Sequence, residues 1–175
     1  MSITSLFSSL SSDDHELYPP ATEADVKNTE QALGRPLPPS FREFVTQFSN
    51  GAYLYRVQEV SAVGANPQIA TIQKINLPDR PAADEIVPFR EGGETTGAHL
   101  VPFSLDHNGN AWCFVTDSTS ADGEYPVAYL DVAGRKLYGK QPSFAAWLGV
   151  LAETKDEVIR ALYDQDVIED ELELG

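Results

Sequence analysis

Cysteine is almost absent from this sequence of 175 residues, because Cys113 is the only one. An internal disulfide is therefore impossible, which suits a reducing compartment. Long apolar runs are absent as well, and no stretch approaches the roughly 20 residues that a membrane-spanning helix needs. The N-terminus, MSITSLFSSLSSDD, has neither a basic segment nor a long apolar core and does not resemble a secretory signal. We therefore expect a cytoplasmic protein that does not bind a membrane.

Basic residues are scarce. The chain has 12 lysines and arginines against 27 aspartates and glutamates, a formal net charge of −15. Residues 153–175 carry nine acids against Lys155 and Arg160, a net of −7 for this segment. A negative field repels phosphate, which argues against direct nucleic-acid binding, and it attracts basic proteins. We expect a basic protein partner, with a purely solubilising acidic tail as the alternative.

Recognisable catalytic motifs are missing too. The three histidines, His15, His99 and His107, have no useful spacing to Cys113, and no nucleophile elbow, Walker loop, dinucleotide fingerprint or H-E-x-x-H occurs. The pair Gly92-Gly93 lies near two glutamates and follows no clear strand, which argues against a phosphate-binding loop. We expect no cofactor, no metal and no enzymatic activity. The alternative is an enzyme that uses carboxylates such as Asp106 and Asp117.

One segment partly matches a calcium-binding loop. Asp106, Asn108, Asn110 and Asp117 fall at positions 1, 3, 5 and 12 of such a loop. Ala111 replaces the glycine required at position 6, and the flanking segments have the composition of strands rather than helices. The Asn-Gly pair inside the segment is a strong hairpin signal. The sequence therefore predicts a hairpin turn here rather than a calcium site.

The clearest local signals lie between Thr22 and Gly51. Thr22 with Asp25 predicts an N-terminal capping box, and Gly34 is placed to end that helix in a left-handed conformation. Pro39 can occupy the first turn of a second helix, where its missing N–H costs nothing. The second helix carries apolar side chains at helical spacing, which predicts a core-facing stripe of Phe41, Phe44, Val45 and Phe48.

The rest of the chain predicts a meander flanked by helices. We expect an N-terminal helix over Ile3, Leu6, Phe7 and Leu10, and then one or two strands in residues 54–63. A further strand is expected through Ile69, Ile72, Ile75 and Leu77, followed by a long, mobile, acidic loop over residues 79–98 and by strands over 99–105, 111–116 and 126–131. The chain should end with a helix capped by Ser143, with Phe144, Trp147, Leu148 and Leu151 on one face, and a last helix around Val158, Ile159 and Leu162. Cys113 falls inside an apolar strand, which predicts a buried structural thiol.

The order of these motifs resembles one family. Leu37-Pro38-Pro39-Ser40-Phe41 followed by Asn50-Gly51, then LVPFSLDHNGNAWCFV, YPVAYLD and SFAAWL, is similar to the SUKH superfamily, which is named partly for a yeast regulator of cell-wall synthesis. The resemblance covers residues 22–151. Ala52 replaces the second glycine of the usual Asn-Gly-Gly stop, and neither residues 79–98 nor the acidic tail align with the family pattern.

The resemblance implies a single α+β domain. Its antiparallel sheet of about five to six strands would carry N-terminal and C-terminal helices, with a helix and linker at 1–21, the domain at 22–151 and an acidic extension at 152–175. Many bacterial members of the family are immunity proteins that bind and neutralise a cognate toxin, frequently a nuclease. We expect such a function here, and a regulatory or scaffold module without a toxin partner is the alternative.

The contacts with such a partner are expected to be acidic. An exposed carboxylate that only keeps the protein soluble is the simpler explanation for any one of them. The candidates are Glu91, Glu94, Asp106, Asp117, Asp122, Glu124, Asp164, Asp166, Glu169, Asp170 and Glu171.

Overall fold

The computed structural model describes residues 3–10, 15–55, 58–64, 66–106 and 108–154. Its helices are α1 (Ile3–Leu10), α2 (Glu23–Leu33), α3 (Pro39–Glu43, continued by a π-helical segment Phe44–Phe48) and α4 (Phe144–Thr154). Its strands are β1 (Glu16–Leu17), β2 (Ala52–Leu54), β3 (Gln58–Val60), β4 (Ile86–Pro88), β5 (Glu94–Thr96), β6 (Leu100–Leu105), β7 (Ala111–Val115), β8 (Val127–Asp131) and β9 (Lys136–Gln141). The helix predicted around Val158, Ile159 and Leu162 lies outside the described residues.

The strands form three antiparallel sheets, ordered β1-β2-β3, β4-β5 and β6-β7-β8-β9. The α+β class is therefore confirmed, with the strands distributed over three sheets rather than one. The four-stranded sheet is a meander in which Trp112 lies opposite Tyr129 and Tyr129 opposite Tyr138. The sequence predicted the first three strands of this sheet but not β9. β9 follows the turn that Arg135 makes at a positive φ of 54°.

Both faces of the four-stranded sheet are covered. Along β7, Trp112 and Phe114 contribute to a large cluster shared with the helices. Cys113 and Val115 point to the opposite face and pack in a second cluster with Leu77, Val87 and Phe89. Successive side chains of a strand alternate between the faces of a sheet, so a strand buried on both faces is apolar throughout. This explains the continuous apolar run of β7.

Aromatic side chains fill the helix-facing core. Phe41 and Phe144 from the helices meet edge to face with ring centroids 5.2 Å apart. Phe103 and Phe114 from the sheet stack at 4.4 Å, and Phe103 also contacts Phe144 at 5.7 Å. Such pairs contribute about 0.5–1.5 kcal/mol each beyond the burial of their area. The predicted core stripes of the second helix and of α4 are confirmed.

The predicted helix boundaries are also confirmed. The Thr22 backbone N–H donates to Asp25 Oδ2 (3.0 Å), and the Asp25 N–H donates to Thr22 Oγ1 (3.2 Å). Gly34 ends α2 at a φ of 72°. The Ala146 N–H donates to Ser143 Oγ (3.1 Å) at the start of α4.

Two predictions between residues 69 and 98 are wrong. The expected strand through Ile72 is a short 3₁₀ helix, Ile72–Lys74. The expected loop over residues 79–98 contains the hairpin of β4 and β5, closed by a hydrogen bond from the Phe89 N–H to the Gly93 carbonyl (2.9 Å). These strands have only three residues each, and they are stabilised by covering the four-stranded sheet, so the local sequence carries little strand signal.

The N-terminal residues join the same core. α1 is confirmed as a helix, and its Phe7 ring stacks on Phe48 with centroids 4.9 Å apart. Leu10 is fully buried. β1, which the sequence did not predict, pairs with β2 through Leu17 opposite Ala52. Residues 3–10 therefore pack against the helix-facing core.

We expect Thr22→Ala to lower the free energy of unfolding by about 1 kcal/mol, because it removes the side-chain acceptor of the capping box. Urea denaturation measures the difference. Thr119→Ala is the matched control, since Thr119 is exposed and lies outside the helices, and it should change stability by less than about 0.5 kcal/mol. Equal effects of the two substitutions would contradict the capping role.

The buried thiol predicts a loss of stability at alkaline pH. Burial raises the pKa of Cys113 from 9.0 to about 12, and the positive charge of Arg80 only partly offsets this. Because the unfolded thiol ionises first, stability from this group is complete below pH 9 and falls by about 1.4 kcal/mol per pH unit between about 9 and about 12. Denaturation over this pH range should show a shallower loss in Cys113→Ala. An identical slope in both proteins would exclude the thiol as the cause.

Candidate protein-binding surface

The candidate acids occupy the two ends of the four-stranded sheet. Asp106 lies in the turn from β6 to β7, and Asp117, Asp122 and Glu124 lie in the loop from β7 to β8. β7 has five residues, so at about 3.4 Å per residue it separates the two ends by roughly 17 Å. The two ends are therefore separate parts of the surface.

Asp106 holds the hairpin turn together. Its Oδ1 accepts hydrogen bonds from the backbone N–H groups of Asn108 (2.8 Å) and Asn110 (3.0 Å). Its Oδ2 accepts a hydrogen bond from the Tyr129 hydroxyl on β8. The predicted hairpin turn is confirmed, and the carboxylate is used to fix it.

Glu124 caps a helix that cannot cap itself. Pro38 precedes α3 and offers no side-chain acceptor to the first turn. Glu124 Oε2 instead accepts from the Ser40 backbone N–H (2.9 Å), and its Oε1 accepts from Ser40 Oγ (2.6 Å). A carboxylate at this position satisfies an unpaired N–H group and interacts favourably with the helix dipole. Glu124 therefore fastens the loop between β7 and β8 to the proline corner.

Further hydrogen bonds order this loop around Asp122. The Glu124 N–H donates to Ser120 Oγ (3.1 Å), and the Ser120 N–H donates to the Glu124 carbonyl (2.9 Å). The Tyr125 hydroxyl donates to the Pro36 carbonyl (2.8 Å). Asp122 is exposed within this closed loop.

The β4–β5 hairpin reaches the same end of the sheet. Thr95 Oγ1 on β5 donates to Asp117 Oδ2 (2.8 Å), with the exposed Glu94 as the preceding residue. At the hairpin turn, Glu91 Oε1 accepts from the Lys140 N–H (3.4 Å) on β9. β9 ends one residue later, opposite the start of β8.

The structure therefore brings five candidates to one end of the sheet and leaves Asp106 at the other. We call this end the acidic end. It comprises Glu91, Glu94, Asp117, Asp122 and Glu124. The remaining candidates, Asp164, Asp166, Glu169, Asp170 and Glu171, lie outside the described residues.

This architecture agrees with the family identified by sequence comparison. Residues 20–149 match the SMI1 / KNR4 family (SUKH-1). The chain belongs to this family. No curated protein matches the chain. SUKH domains are associated with toxin immunity and regulation rather than with catalysis, and a protein partner is consistent with that association.

The SUKH-1 match extends from the residues before α2 into α4. It therefore includes the proline corner, the four-stranded sheet, the β4–β5 hairpin and every acid of the acidic end. Within the described parts of this SUKH-1 protein, no group of three or more His, Cys, Asp or Glu residues is arranged to hold a metal ion. No helix in those parts is long and apolar enough to cross a membrane.

Sequence reasoning missed the residues that position these acids. Ser40 and Thr95 are both buried and donate to Glu124 and Asp117 respectively. It also missed Ile86, whose side chain is exposed on β4. Ser40 belongs to the Leu-Pro-Pro-Ser-Phe motif that the sequence identified. Its hydrogen-bond partner could not be predicted, because Glu124 lies 84 residues away in the chain.

We expect Glu124→Gln to lower the free energy of unfolding by about 1–2 kcal/mol, because the loss of charge weakens two hydrogen bonds at a helix N-terminus. Asp122→Asn is the matched control in the same loop and should cost less than about 0.5 kcal/mol, since Asp122 is exposed. Chemical denaturation measures both. A Ser40→Ala background should reduce the cost of Glu124→Gln, and full additivity of the two substitutions would contradict direct coupling.

Proposed function

We propose that this protein is an immunity protein that binds and neutralises a cognate toxin in the cytoplasm of the cell that makes it. Its membership of the SUKH-1 family carries this proposal. The net charge of −15 supports a basic partner. Electrostatic attraction of this kind mainly accelerates association and disfavours wrong partners.

A nuclease is the toxin class that fits this charge best. Nucleases hold phosphate with lysine and arginine, so the surface that binds their substrate is basic. An acidic inhibitor can cover that surface without entering the catalytic machinery. The acidic end supplies carboxylates from the hairpin on one face of the sheet and from the loop that contacts α3 on the other.

The acids of the acidic end have two different roles. Glu94 and Asp122 are exposed, and within the described residues no hydrogen bond or ion pair engages their carboxylates. We propose these two as direct contacts, together with Glu91 at the hairpin turn. Asp117 and Glu124 hold the hairpin and the loop in place through Thr95 and Ser40. Asp106 and the tail acids Asp164, Asp166, Glu169, Asp170 and Glu171 add to the attracting field.

The test uses, as the candidate toxin, the product of the reading frame that neighbours this gene. Co-expression of the full immunity chain should restore growth to cells that produce the toxin domain. Surface plasmon resonance should give a single tight complex whose association slows as salt increases, because the encounter is electrostatic. Neither rescue nor binding, or weak binding to many unrelated proteins instead, would contradict the proposal and favour a regulatory module.

A pair of charge-matched variants tests where the contact lies. Glu94→Gln with Asp122→Asn removes two charges from the acidic end, and Glu16→Gln with Glu153→Gln removes two exposed charges elsewhere. We expect the first pair to weaken toxin binding about tenfold and the second to have little effect. Equal losses would show that only the total charge matters.

A further inference from the structure

One apolar side chain stands out on the surface of the β4–β5 hairpin. Ile86 on β4 is 58% exposed, and the other large hydrophobic residue exposed among the described residues is Leu17, at 40% on β1. Single exposed hydrophobic residues are common and need no explanation by themselves. Ile86 differs because of the residues that surround it.

Ile86 lies on a small, flat face formed by both strands of the hairpin. Ile86 pairs with Thr96, and Pro88 pairs with Glu94. Because side chains alternate along a strand, these four residues share one face, and Val87 and Thr95 share the other. Val87 and Thr95 are buried, whereas Ile86, Pro88 and Glu94 are exposed. We call Ile86, Pro88, Glu94 and Thr96 the outer hairpin face.

The hairpin is anchored to the sheet beneath it. The Arg90 N–H donates to the Leu137 carbonyl (2.9 Å), and Phe89 forms a parallel bridge with the same residue. Val87 is fully buried in the second cluster, and Thr95 bonds to Asp117. A face held in this way loses little conformational entropy on binding, which favours affinity.

Three arginines near the hairpin make the following contacts. The Arg80 guanidinium donates to the Leu100 carbonyl (2.9 Å), and the Arg90 guanidinium lies 5.9 Å from the Tyr138 ring centroid. Arg135 pairs with Glu85 (3.4 Å).

Three exposed carboxylates lie on or near the hairpin in the chain. Glu94 belongs to the face itself, Asp84 precedes β4, and Glu91 lies in the hairpin turn, all three exposed. An apolar centre with an acidic rim is complementary to a shallow apolar pocket rimmed by lysine and arginine.

We propose that the outer hairpin face is the docking surface for the basic partner protein, with Ile86 as its apolar anchor and Glu94 as its charged neighbour. This inference rests on the proposed function for the identity of the partner, a basic toxin domain. It adds a specific surface and a non-electrostatic contribution that net charge alone does not predict. A central anchor enclosed by a polar rim is the arrangement that concentrates binding energy in interfaces.

The first experiment tests the surface without the toxin. A short synthetic peptide of alternating lysine and leucine serves as the probe, and NMR of the ¹⁵N-labelled full chain locates where it binds. The largest shifts should fall on the amides of Ile86, Glu94 and Thr96 and should disappear in Ile86→Asp. Shifts concentrated elsewhere, or no binding at all, would overturn the assignment of this surface.

The second experiment uses the same candidate toxin, the product of the neighbouring reading frame. Ile86→Ala should weaken its binding about tenfold at both low and high salt, because an apolar anchor is not screened. Leu17→Ala is the matched control and should leave binding unchanged. Both variants should keep the wild-type thermal unfolding midpoint, since both side chains are exposed. Unchanged binding by Ile86→Ala would overturn the inference while leaving the immunity function intact.

Failure of the two proposals can be told apart. If the toxin domain does not bind the wild-type chain but the peptide maps to the outer hairpin face, the proposed function fails and the surface stands. If the toxin domain binds and the peptide maps elsewhere, the function stands and the surface fails.

Discussion

The contact between the helices and the sheet depends on one cluster of phenylalanines. Phe41 and Phe144 come from α3 and α4, and Phe103 and Phe114 come from β6 and β7, all of them almost completely buried. Their edge-to-face and stacked contacts join segments that lie far apart in the chain. Because aromatic rings bury large areas in defined orientations, this cluster fixes which face of the sheet the helices cover. The opposite face must then be covered by other residues.

The need to cover the opposite face of the sheet determines where the β4–β5 hairpin lies. Val87 and Phe89 cover the far face of the sheet and bring the β4–β5 hairpin with them. The outward side of the hairpin is consequently presented next to the loop between β7 and β8. The bond between Thr95 and Asp117 joins the two. The position of the acidic end therefore follows from the packing of the core. Its acids lie on segments that are packed or hydrogen-bonded to the rest of the fold rather than on an isolated loop.

Carboxylates of one chemical type serve two purposes in this protein. Glu124 completes the first turn of α3, whereas Asp122, two residues earlier, faces solvent. The sequence marks both simply as acids in a polar loop. Their roles differ because Ser40 lies 84 residues away and approaches only Glu124 in the folded chain. Charge patterning could identify the acidic candidates, but it could not separate those that hold the fold from those that remain available to a partner.

The sequence by itself determined the features that depend on neighbours a few residues apart. These include the capping box at Thr22, the left-handed stop at Gly34, the apolar faces of the helices, and the Asn-Gly turn between β6 and β7. Their order also identified the family. Only the tertiary structure decided the β4–β5 hairpin, the grouping of Glu91, Glu94, Asp117, Asp122 and Glu124, and the exposure of Ile86. Strands of three residues gain their stability from burial against distant parts of the chain, and no local pattern records which partner will cover them.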